Sequence, residues 1–537
     1  MTDQPVLSGE ARRVTRAAVL ISIGNIASRG LGLVREMAKS YFFGAGGAVS
    51  AFDVAAQVPT MLNDQLVGGM LSSSLVPVFS DYAHGEDQEE LWRVLGSMFT
   101  VVAVLLGVVV LLLELAAPWV ARILGVGLSP EYLALATSMI RITGPAVLFL
   151  NVAGLVSAAL YALQRFRLPA FTSAVYNATM VVVIVILGRG PLGARTLAVG
   201  LLAATVAQLA FQLPGLRGIR LALRSPFVVH PALFQVAKLY LPIGAGLLVD
   251  QAAVALSYNL ASRTGPSGIA WMKYAATLIQ FPLGLVVTAV SVAILPTLSR
   301  YATQDDEPAF RSTLAQGLRL VLILVLPAAV GLWVMSEPLV AVLLQRGEFL
   351  PSDTLATAQV LRFSIIGLVF AALDQPLIFA FYARKDTWTP ALVGVGTVVL
   401  YILMAVVPTQ FHEPRLWELI LANSLKLAAH ALLMLFLFSR KVGRLAPYGL
   451  WRTSLIALVA SLAMILPMTA TLRGLLPFVP RGSLGYLIRI LAATVVGGAI
   501  YLGLLRALGV EEVTLIRSAL RRQPALSPPP VIRLRRE

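Results

Sequence analysis

The chain has 537 residues, of which 58% are hydrophobic and 13% are charged, and its mean hydropathy is +0.83. Soluble domains carry roughly 25% charged residues, so this composition excludes a soluble globular protein and indicates a polytopic membrane protein. The absence of cysteine excludes disulfides and thiolate chemistry, and the four scattered histidines predict no metal site. A formal net charge of +16 is typical of a membrane protein with basic cytoplasmic loops, and we expect no nucleic-acid partner.

Runs of about 20 mostly apolar residues predict an all-α polytopic fold with about fourteen transmembrane helices. In chain order the predicted spans are 14–43, 48–80, 92–116, 132–162, 170–188, 196–214, 234–261, 268–299, 312–335, 355–382, 389–408, 417–438, 450–471 and 484–507. An even number of spans places both termini on one side of the membrane. Lys and Arg are concentrated in the termini and in the loops on that side, which predicts that both termini are cytoplasmic.

The sequence also repeats itself. Three pairs of similar segments are separated by nearly the same offset, about 220 residues: 75–83 with 294–302, 117–121 with 337–341, and 159–162 with 380–383. A repeat of this length encloses six predicted spans, and because six is even, the two copies are parallel repeats related by an axis along the membrane normal. The repeat therefore predicts two six-helix lobes followed by two C-terminal helices.

These features divide the chain into five parts. They are a cytoplasmic N-terminal tail (1–11), an N-lobe (12–220), a C-lobe (221–440), a pair of C-terminal helices (441–510) and a basic cytoplasmic tail (511–537). Two lobes that face each other predict a transporter whose substrate path lies between them and opens alternately to each side of the membrane.

The first predicted span contains four ionisable residues, Arg29, Arg35, Glu36 and Lys39. Charge within a membrane helix is costly and commonly functional. Guanidinium groups bind phosphate oxygens in a bidentate manner, so we interpret Arg29 and Arg35 as part of an anion-binding cavity. The alternative is that Arg29 pairs with a buried acid, either Asp53 or Asp64. We expect Lys39 to extend towards the nearer membrane interface.

In the second lobe, Lys273 is predicted to face the first-lobe arginines across the cavity, or else to reach the lipid headgroups from the end of its helix. Asp250 and Asp374 are candidate sites for a coupling cation or proton, because carboxylates suit hard cations and proton relay. Their alternative role is a structural ion pair with Arg362 or Lys273. We interpret His430 as a hydrogen-bonded packing residue.

Several motifs together resemble one known family. They are SRGLGLVRE (28–36), YFFGAG (41–46), Val58-Pro59, SLVPVF (74–79), FPLG (281–284), ILPTLS (294–299) and FYARKDTWTP (381–390). This combination, over about 15–510, looks like the MurJ (MviN) lipid II flippases of the multidrug/oligosaccharidyl-lipid/polysaccharide exporter superfamily.

The resemblance implies a transporter and not an enzyme. It implies fourteen helices, a cationic central cavity, and movement of the undecaprenyl-pyrophosphate-linked peptidoglycan precursor, lipid II, from the inner to the outer leaflet of the bacterial plasma membrane. It further implies alternating access coupled to a cation (sodium or proton) or to the membrane potential. The partners it suggests are membrane lipids and cell-wall synthesis enzymes.

Arg29 and Arg35 match the two arginines that the family carries in its first helix. Where relatives carry basic residues in the second helix, this chain has Gln57 and Asn63, which we include with Arg29, Arg35 and Lys273 as predicted substrate-binding residues. In the eighth span Ala276 and Thr277 stand where the family has an Asp-Arg pair. Lys273 lies one turn before Thr277, so it can supply the cation that Thr277 does not.

Other functions stay open at this point. One is a flippase for another polyprenyl-pyrophosphate oligosaccharide, because the altered cavity residues could suit a different head group. Another is a cation-coupled drug exporter that depends on Asp250 and Asp374 instead of the arginines. A third is an inactive membrane scaffold that recruits cell-wall enzymes.

Overall fold

A computed structural model describes residues 5–68, 88–217, 231–510 and 512. These parts of the chain are helical and contain no strand. Three predicted features lie outside the described residues: the 75–83 copy of the repeat, residues 69–80 of the span 48–80, and the basic tail from 513 onwards.

The first half of the described chain forms seven α-helices, the first of which begins within the predicted N-terminal tail. They are α1 (Pro5–Phe43), α2 (Gly47–Asn63), α3 (Gln88–Leu124), α4 (Pro130–Thr143), α5 (Ala146–Ala162), α6 (Arg167–Leu187) and α7 (Arg195–Gln212).

The second half of the described chain forms eleven further helices. They are α8 (Pro231–Arg263), α9 (Gly268–Pro282), α10 (Thr288–Thr303), α11 (Glu307–Val334), α12 (Ser336–Leu344), α13 (Pro351–Ala383), α14 (Trp388–Val406), α15 (Leu416–Lys441), α16 (Leu450–Ala463), α17 (Ile465–Gly474) and α18 (Ser483–Ala507).

Within the described ranges, ten helical segments are long and apolar enough to cross a membrane, and each agrees with a predicted span to within a few residues at most ends. They are Trp92–Leu124, Pro130–Ala162, Arg167–Leu187, Arg195–Leu216, Glu307–Val334, Pro351–Ala383, Trp388–Gln410, Leu416–Lys441, Leu450–Gly474 and Ser483–Ala507. The predicted spans 14–43, 48–80, 234–261 and 268–299 are not among the ten. These four regions carry charged side chains or are interrupted, and their described residues lie at the centre of the molecule.

Large apolar side chains cover the outside of these helices. Leu111 is 66% exposed, Leu115 is 78% exposed and Leu466 is 80% exposed. A soluble monomer rarely exposes contiguous apolar patches of this kind, whereas a bilayer is the solvent in which such a surface is stable. The exposed face therefore confirms the multi-pass membrane class.

The backbone repeats with the spacing seen in the sequence. A π-helical turn follows α2 at Asp64–Gly68, and a second follows α9 at Leu283–Val287, which is the equivalent position in the other repeat. Both follow a helix that contains proline, Pro59 or Pro282, which removes a backbone donor and disturbs the regular hydrogen-bond ladder. π-Helical turns are frequent at functional sites.

A second backbone feature also recurs. Gln164 and Lys385 both adopt positive φ angles, of 56° and 61°, at the ends of α5 and α13. In each case the next residue closes the helix with a hydrogen bond: the Arg165 amide donates to Leu160 O at 2.7 Å, and the Asp386 amide donates to the Phe381 carbonyl at 3.0 Å. Non-glycine residues rarely adopt this conformation, so its recurrence at equivalent positions of the two repeats supports an internal duplication.

Helices α1 and α2 from the first repeat meet α8 and α9 from the second. We call this four-helix contact the central seam. Around it, α1 packs along α6, and α13 packs against α11 and α15. The predicted C-terminal pair consists of α16 with α17 and of α18, and α17 and α18 pack against α11 and α12. The ionisable residues predicted from the sequence are concentrated at the central seam.

Candidate functional site

A buried charge cluster links the first two helices. Lys39 Nζ lies 2.8 Å from Glu36 Oε2 and 3.1 Å from Asp53 Oδ1, and these three side chains are at most 8% exposed. The ammonium also lies 4.5 Å from the centre of the Tyr274 ring. Buried charges in a membrane protein need partners, and here two carboxylates satisfy one ammonium. The expectation that Lys39 extends to the membrane interface is therefore wrong.

Arg35 joins this cluster from its more accessible side. Its Nη2 donates to Glu36 Oε1 at 2.7 Å and its Nη1 donates to Asn177 Oδ1 at 3.0 Å. Asn177 is itself oriented, because its Nδ2 donates to Ser28 O at 3.1 Å. The Arg35 side chain remains 27% exposed. Arg35 is thus held in a fixed position by Glu36 and Asn177, while part of its side chain stays exposed.

Arg29 crosses the central seam. Its Nη1 donates to the Gln280 carbonyl at 2.7 Å, and its guanidinium lies against Gly284 at the second π-helical turn, where an added Cβ would overlap it. The predicted alternative, a pair with Asp53 or Asp64, is wrong. Among the described residues Arg29 has no carboxylate within ion-pair distance. A neutral carbonyl holds this cation, and no carboxylate of the described ranges pairs with its charge.

Lys273 also lies at the central seam without a carboxylate within ion-pair distance in the described part of the chain. Its Nζ lies 3.4 Å from Gln57 Oε1 and 5.7 Å from the centre of the Tyr258 ring. The Tyr258 hydroxyl donates to the same Gln57 oxygen at 2.7 Å. Lys273 therefore does not extend to the headgroups. It contacts Gln57 of α2 and not an arginine of α1.

Asn63 ends α2 immediately before the first π-helical turn and is half-buried, and its side chain contacts the Asp64 carboxylate. Asp64 is exposed. In the same π-helical turn, Gln65 Nε2 donates to the Gly244 carbonyl at 2.7 Å. After the hydrogen bond between Tyr258 and Gln57, this is a second contact between α8 and the first repeat.

The central seam is closed where α1 ends and α2 begins, which we call the distal end. The Tyr274 hydroxyl donates to the Gly44 carbonyl at 2.8 Å. Asn259 Nδ2 donates to the Ile123 carbonyl at 2.6 Å, which joins α8 to the end of α3. These hydrogen bonds join the two repeats. A substrate path between the repeats can open at the distal end only if these hydrogen bonds break.

The two predicted coupling residues lie near a shared lysine in the second half of the chain. Asp374 Oδ1 lies 2.7 Å from His430 Nδ1, and both side chains are largely buried. Lys426 lies one turn before His430 and interacts electrostatically with both Asp374 and Asp250. Asp374 does not pair with Arg362 or Lys273, so that alternative is wrong. His430 is hydrogen-bonded, as predicted.

No group of three or more metal-ligating side chains occurs in the described ranges. Three contacts were not predicted from the sequence. Asn177 positions Arg35, and Tyr258 shares the Gln57 oxygen with Lys273. Lys426 interacts with both Asp374 and Asp250. An asparagine in the middle of the apolar span 170–188 was the available signal for the first of these.

Comparison with known proteins gives a consistent result. The sequence model of the family described as "Lipid II flippase MurJ" matches residues 39–492. The chain is 30% identical to the lipid II flippase MurJ of Burkholderia cenocepacia, with 72% of this chain and 76% of that protein aligned. It is 28% identical to the probable lipid II flippase MurJ of Bdellovibrio bacteriovorus, with 95% and 98% aligned.

Solved structures show the same fold. A lipid II flippase MurJ in an inward closed conformation superposes with a TM-score of 0.77 at 22% identity, covering 94% of this chain and 100% of that one. An inward-facing multidrug resistance MATE family transporter of the MOP superfamily superposes with a TM-score of 0.65 at 14% identity, covering 80% and 98%. The family match over most of the sequence and the shared fold together show that this chain belongs to the MurJ lipid II flippase family.

Proposed function

We propose that the protein moves lipid II from the inner to the outer leaflet of the bacterial plasma membrane, and that the central seam opens to hold the pyrophosphate during the crossing. The observation that carries this proposal is the pair of cations at the seam, Arg29 and Lys273, which have no carboxylate within ion-pair distance among the described residues. Both side chains are partly buried, and a partly buried cation without a directly paired carboxylate is a favourable partner for an anionic ligand.

The physical need for such a site is clear. A pyrophosphate with a sugar and peptide head group cannot cross roughly 30 Å of hydrocarbon unaided, because the charged group would lose its hydration. Arg29 and Arg35 can provide bidentate hydrogen bonds to phosphate oxygens, and Lys273 can provide a point charge. Gln57 and Asn63 are neutral and can bind sugar or amide groups. The polyprenyl tail would remain outside in the lipid.

The two π-helical turns support movement of the seam. Each interrupts a seam helix on the side away from the distal end, and the Arg29 contact with Gln280 lies directly before the second one. Anionic substrate bound to Arg29 would compete with the neutral Gln280 carbonyl and so weaken a contact between the repeats. The open and closed states should differ by only a few kcal/mol, so that substrate or ion binding shifts the balance.

The coupling ion and the orientation are part of the proposal. The Asp374–His430 pair, with Lys426 and Asp250 nearby, has the composition of a proton or cation relay. The distribution of Lys and Arg favours a cytoplasmic position for both termini, and in that orientation the distal end would face the outer side of the membrane. Association with cell-wall synthesis enzymes is a further expectation from the family.

Native mass spectrometry of the full chain with lipid II tests the proposal. We compare wild type with Arg29→Gln and Lys273→Gln, because neither substitution leaves a carboxylate without an ion pair. Each variant should retain lipid II less well by about tenfold, as expected from the loss of one charge-assisted contact. Arg452→Gln is the matched control, since Arg452 is an exposed residue on α16. Equal retention by all four proteins would refute a role for the seam cations in binding.

A further inference from the structure

A cavity of about 480 Å³, lined by both charged and apolar side chains, lies apart from the central seam. It is formed where the end of α11 and the start of α12 meet α13, α17 and α18. None of its lining residues belongs to α1, α2, α8 or α9. The cavity therefore needs an explanation separate from transport through the seam.

Three arginines line this cavity, and two of them are held in position by neutral groups. Arg362 Nε donates to the Ser336 hydroxyl at 2.7 Å, and Arg489 Nε donates to the Leu472 carbonyl at 2.8 Å. Both hydrogen bonds use Nε. Within the described structure, the terminal nitrogens (Nη1 and Nη2) of both guanidiniums have no hydrogen-bond acceptor. The third arginine, Arg473, is exposed at the rim.

The charge around the cavity is unbalanced. Glu337 is the single acidic residue in its lining, and it has no cation within ion-pair distance among the described residues. Three guanidiniums beside one carboxylate repel one another, and the cost is larger at the edge of a hydrocarbon layer than in water. An anion that bridges the arginines would remove this cost.

Two aromatic side chains beside the cavity favour a position at the depth of lipid headgroups. The Arg362 guanidinium lies 6.0 Å from the centre of the Trp333 ring, and the Arg489 guanidinium lies 5.4 Å from the centre of the Tyr486 ring. Trp and Tyr are enriched at the interface between membrane and water. The neighbouring rings also limit the movement of the guanidinium planes, which favours a ligand with fixed oxygen geometry.

We propose that this cavity binds the phosphate of an anionic lipid headgroup, with Arg362 and Arg489 donating to its oxygens from opposite sides. The apolar part of the lining, which includes Val334 and Leu476, would contact the start of the acyl chains. The bound lipid would bridge α13 of the second repeat and α18 of the C-terminal pair. A phosphate carried by a lipid suits the site better than a free anion, because the cavity joins basic and apolar surfaces.

The test uses the full chain in native mass spectrometry with phosphatidylglycerol, and with zwitterionic phosphatidylcholine as the lipid control. Arg362→Gln/Arg489→Gln should lower the retention of phosphatidylglycerol by about tenfold and leave phosphatidylcholine unchanged, because charge-assisted hydrogen bonds are lost. The matched control is Arg481→Gln, an exposed arginine in the turn between α17 and α18 that does not line the cavity. It should behave as wild type.

Two further variants test the geometry and the location of the site. Arg362→Lys/Arg489→Lys keeps the charge and removes the bidentate geometry, so it should retain phosphatidylglycerol better than the glutamine variant and less well than wild type. Arg29→Gln should retain it fully, which separates this site from the central seam. The proposal is overturned if the glutamine variant binds phosphatidylglycerol as wild type does, if Arg481→Gln loses it equally, or if inorganic phosphate displaces the lipid at equal concentration.

Discussion

Lys39 on α1 and Asp53 on α2 form an ion pair with 3.1 Å between Nζ and Oδ1, and both side chains are less than 5% exposed. Glu36 lies on the other side of the same ammonium, at 2.8 Å. This arrangement fixes the angle between the first two helices and compensates the charges there. It leaves Arg29 and Lys273 as the seam cations without a carboxylate partner among the described residues.

The first prediction concerns this buried pair. Asp53→Leu should lower the apparent free energy of unfolding by about 3 kcal/mol, because removal of one member leaves a buried ammonium undercompensated. Lys39→Met/Asp53→Leu should recover part of the loss, since neither charge remains to be desolvated. Thermal unfolding of detergent-solubilised protein measures both. A double variant as unstable as Asp53→Leu would show that the ion pair is not the cause.

The second prediction concerns Gly284, where an added Cβ would occupy the position of the Arg29 guanidinium. Gly284→Ala should displace Arg29 from the Gln280 carbonyl and impair complementation of a strain depleted of its own flippase, with normal amounts of protein in the membrane. Gly246→Ala is the matched control on α8, because nothing lies within 4 Å of its added Cβ. Full complementation by both variants would exclude a functional role for the Arg29 position.

The third prediction concerns acid stability outside the membrane spans. Burial alone would raise the pKa of Asp386, but hydrogen bonds from Lys441 and Thr389 lower this pKa to about 2. A lowered pKa stabilises the folded state above the unfolded pKa of about 4, and the contribution is lost as the pH falls towards 2. The apparent melting temperature of wild type should therefore fall more steeply between pH 4 and pH 2 than that of Asp386→Asn. Parallel curves would contradict this assignment.

The fourth prediction concerns coupling. Asp374→Asn and His430→Gln should each reduce gradient-driven transport by about tenfold, within the range typical of coupling between two sites, while the binding of lipid II stays unchanged. Proteoliposomes with an imposed sodium gradient or an imposed proton gradient measure this and identify the ion. The coupling hypothesis fails if both variants transport at the wild-type rate under each gradient.

Much of the fold was predictable because membrane helices follow simple rules of length and polarity. The span 132–162 corresponds to Pro130–Ala162, and the span 484–507 corresponds to Ser483–Ala507. The repeat offset, found from matching segments, reappears in the spacing of the two π-helical turns. The division into lobes at the stated boundaries stays a prediction.

The site was less predictable, because pairing depends on packing between distant segments. The sequence places Lys39 near the end of an apolar run, where extension to the interface is the usual outcome, and only the fold brings Asp53 beside it. Likewise His430 and Asp374 are 56 residues apart, and no local pattern indicates their hydrogen bond. The sequence indicated the ionisable residues of the seam, and their role in binding stays a prediction, whereas their hydrogen-bond and ion-pair partners are given only by the structure.

The decisive test of the seam cations is the movement of fluorescent lipid II across proteoliposomes that contain wild type, Arg29→Gln/Lys273→Gln or Arg452→Gln. If the two cations carry the pyrophosphate, the double variant should move lipid II at the rate of protein-free vesicles, while Arg452→Gln moves it as wild type does. Transport by the double variant at the wild-type rate would contradict the proposed role of Arg29 and Lys273.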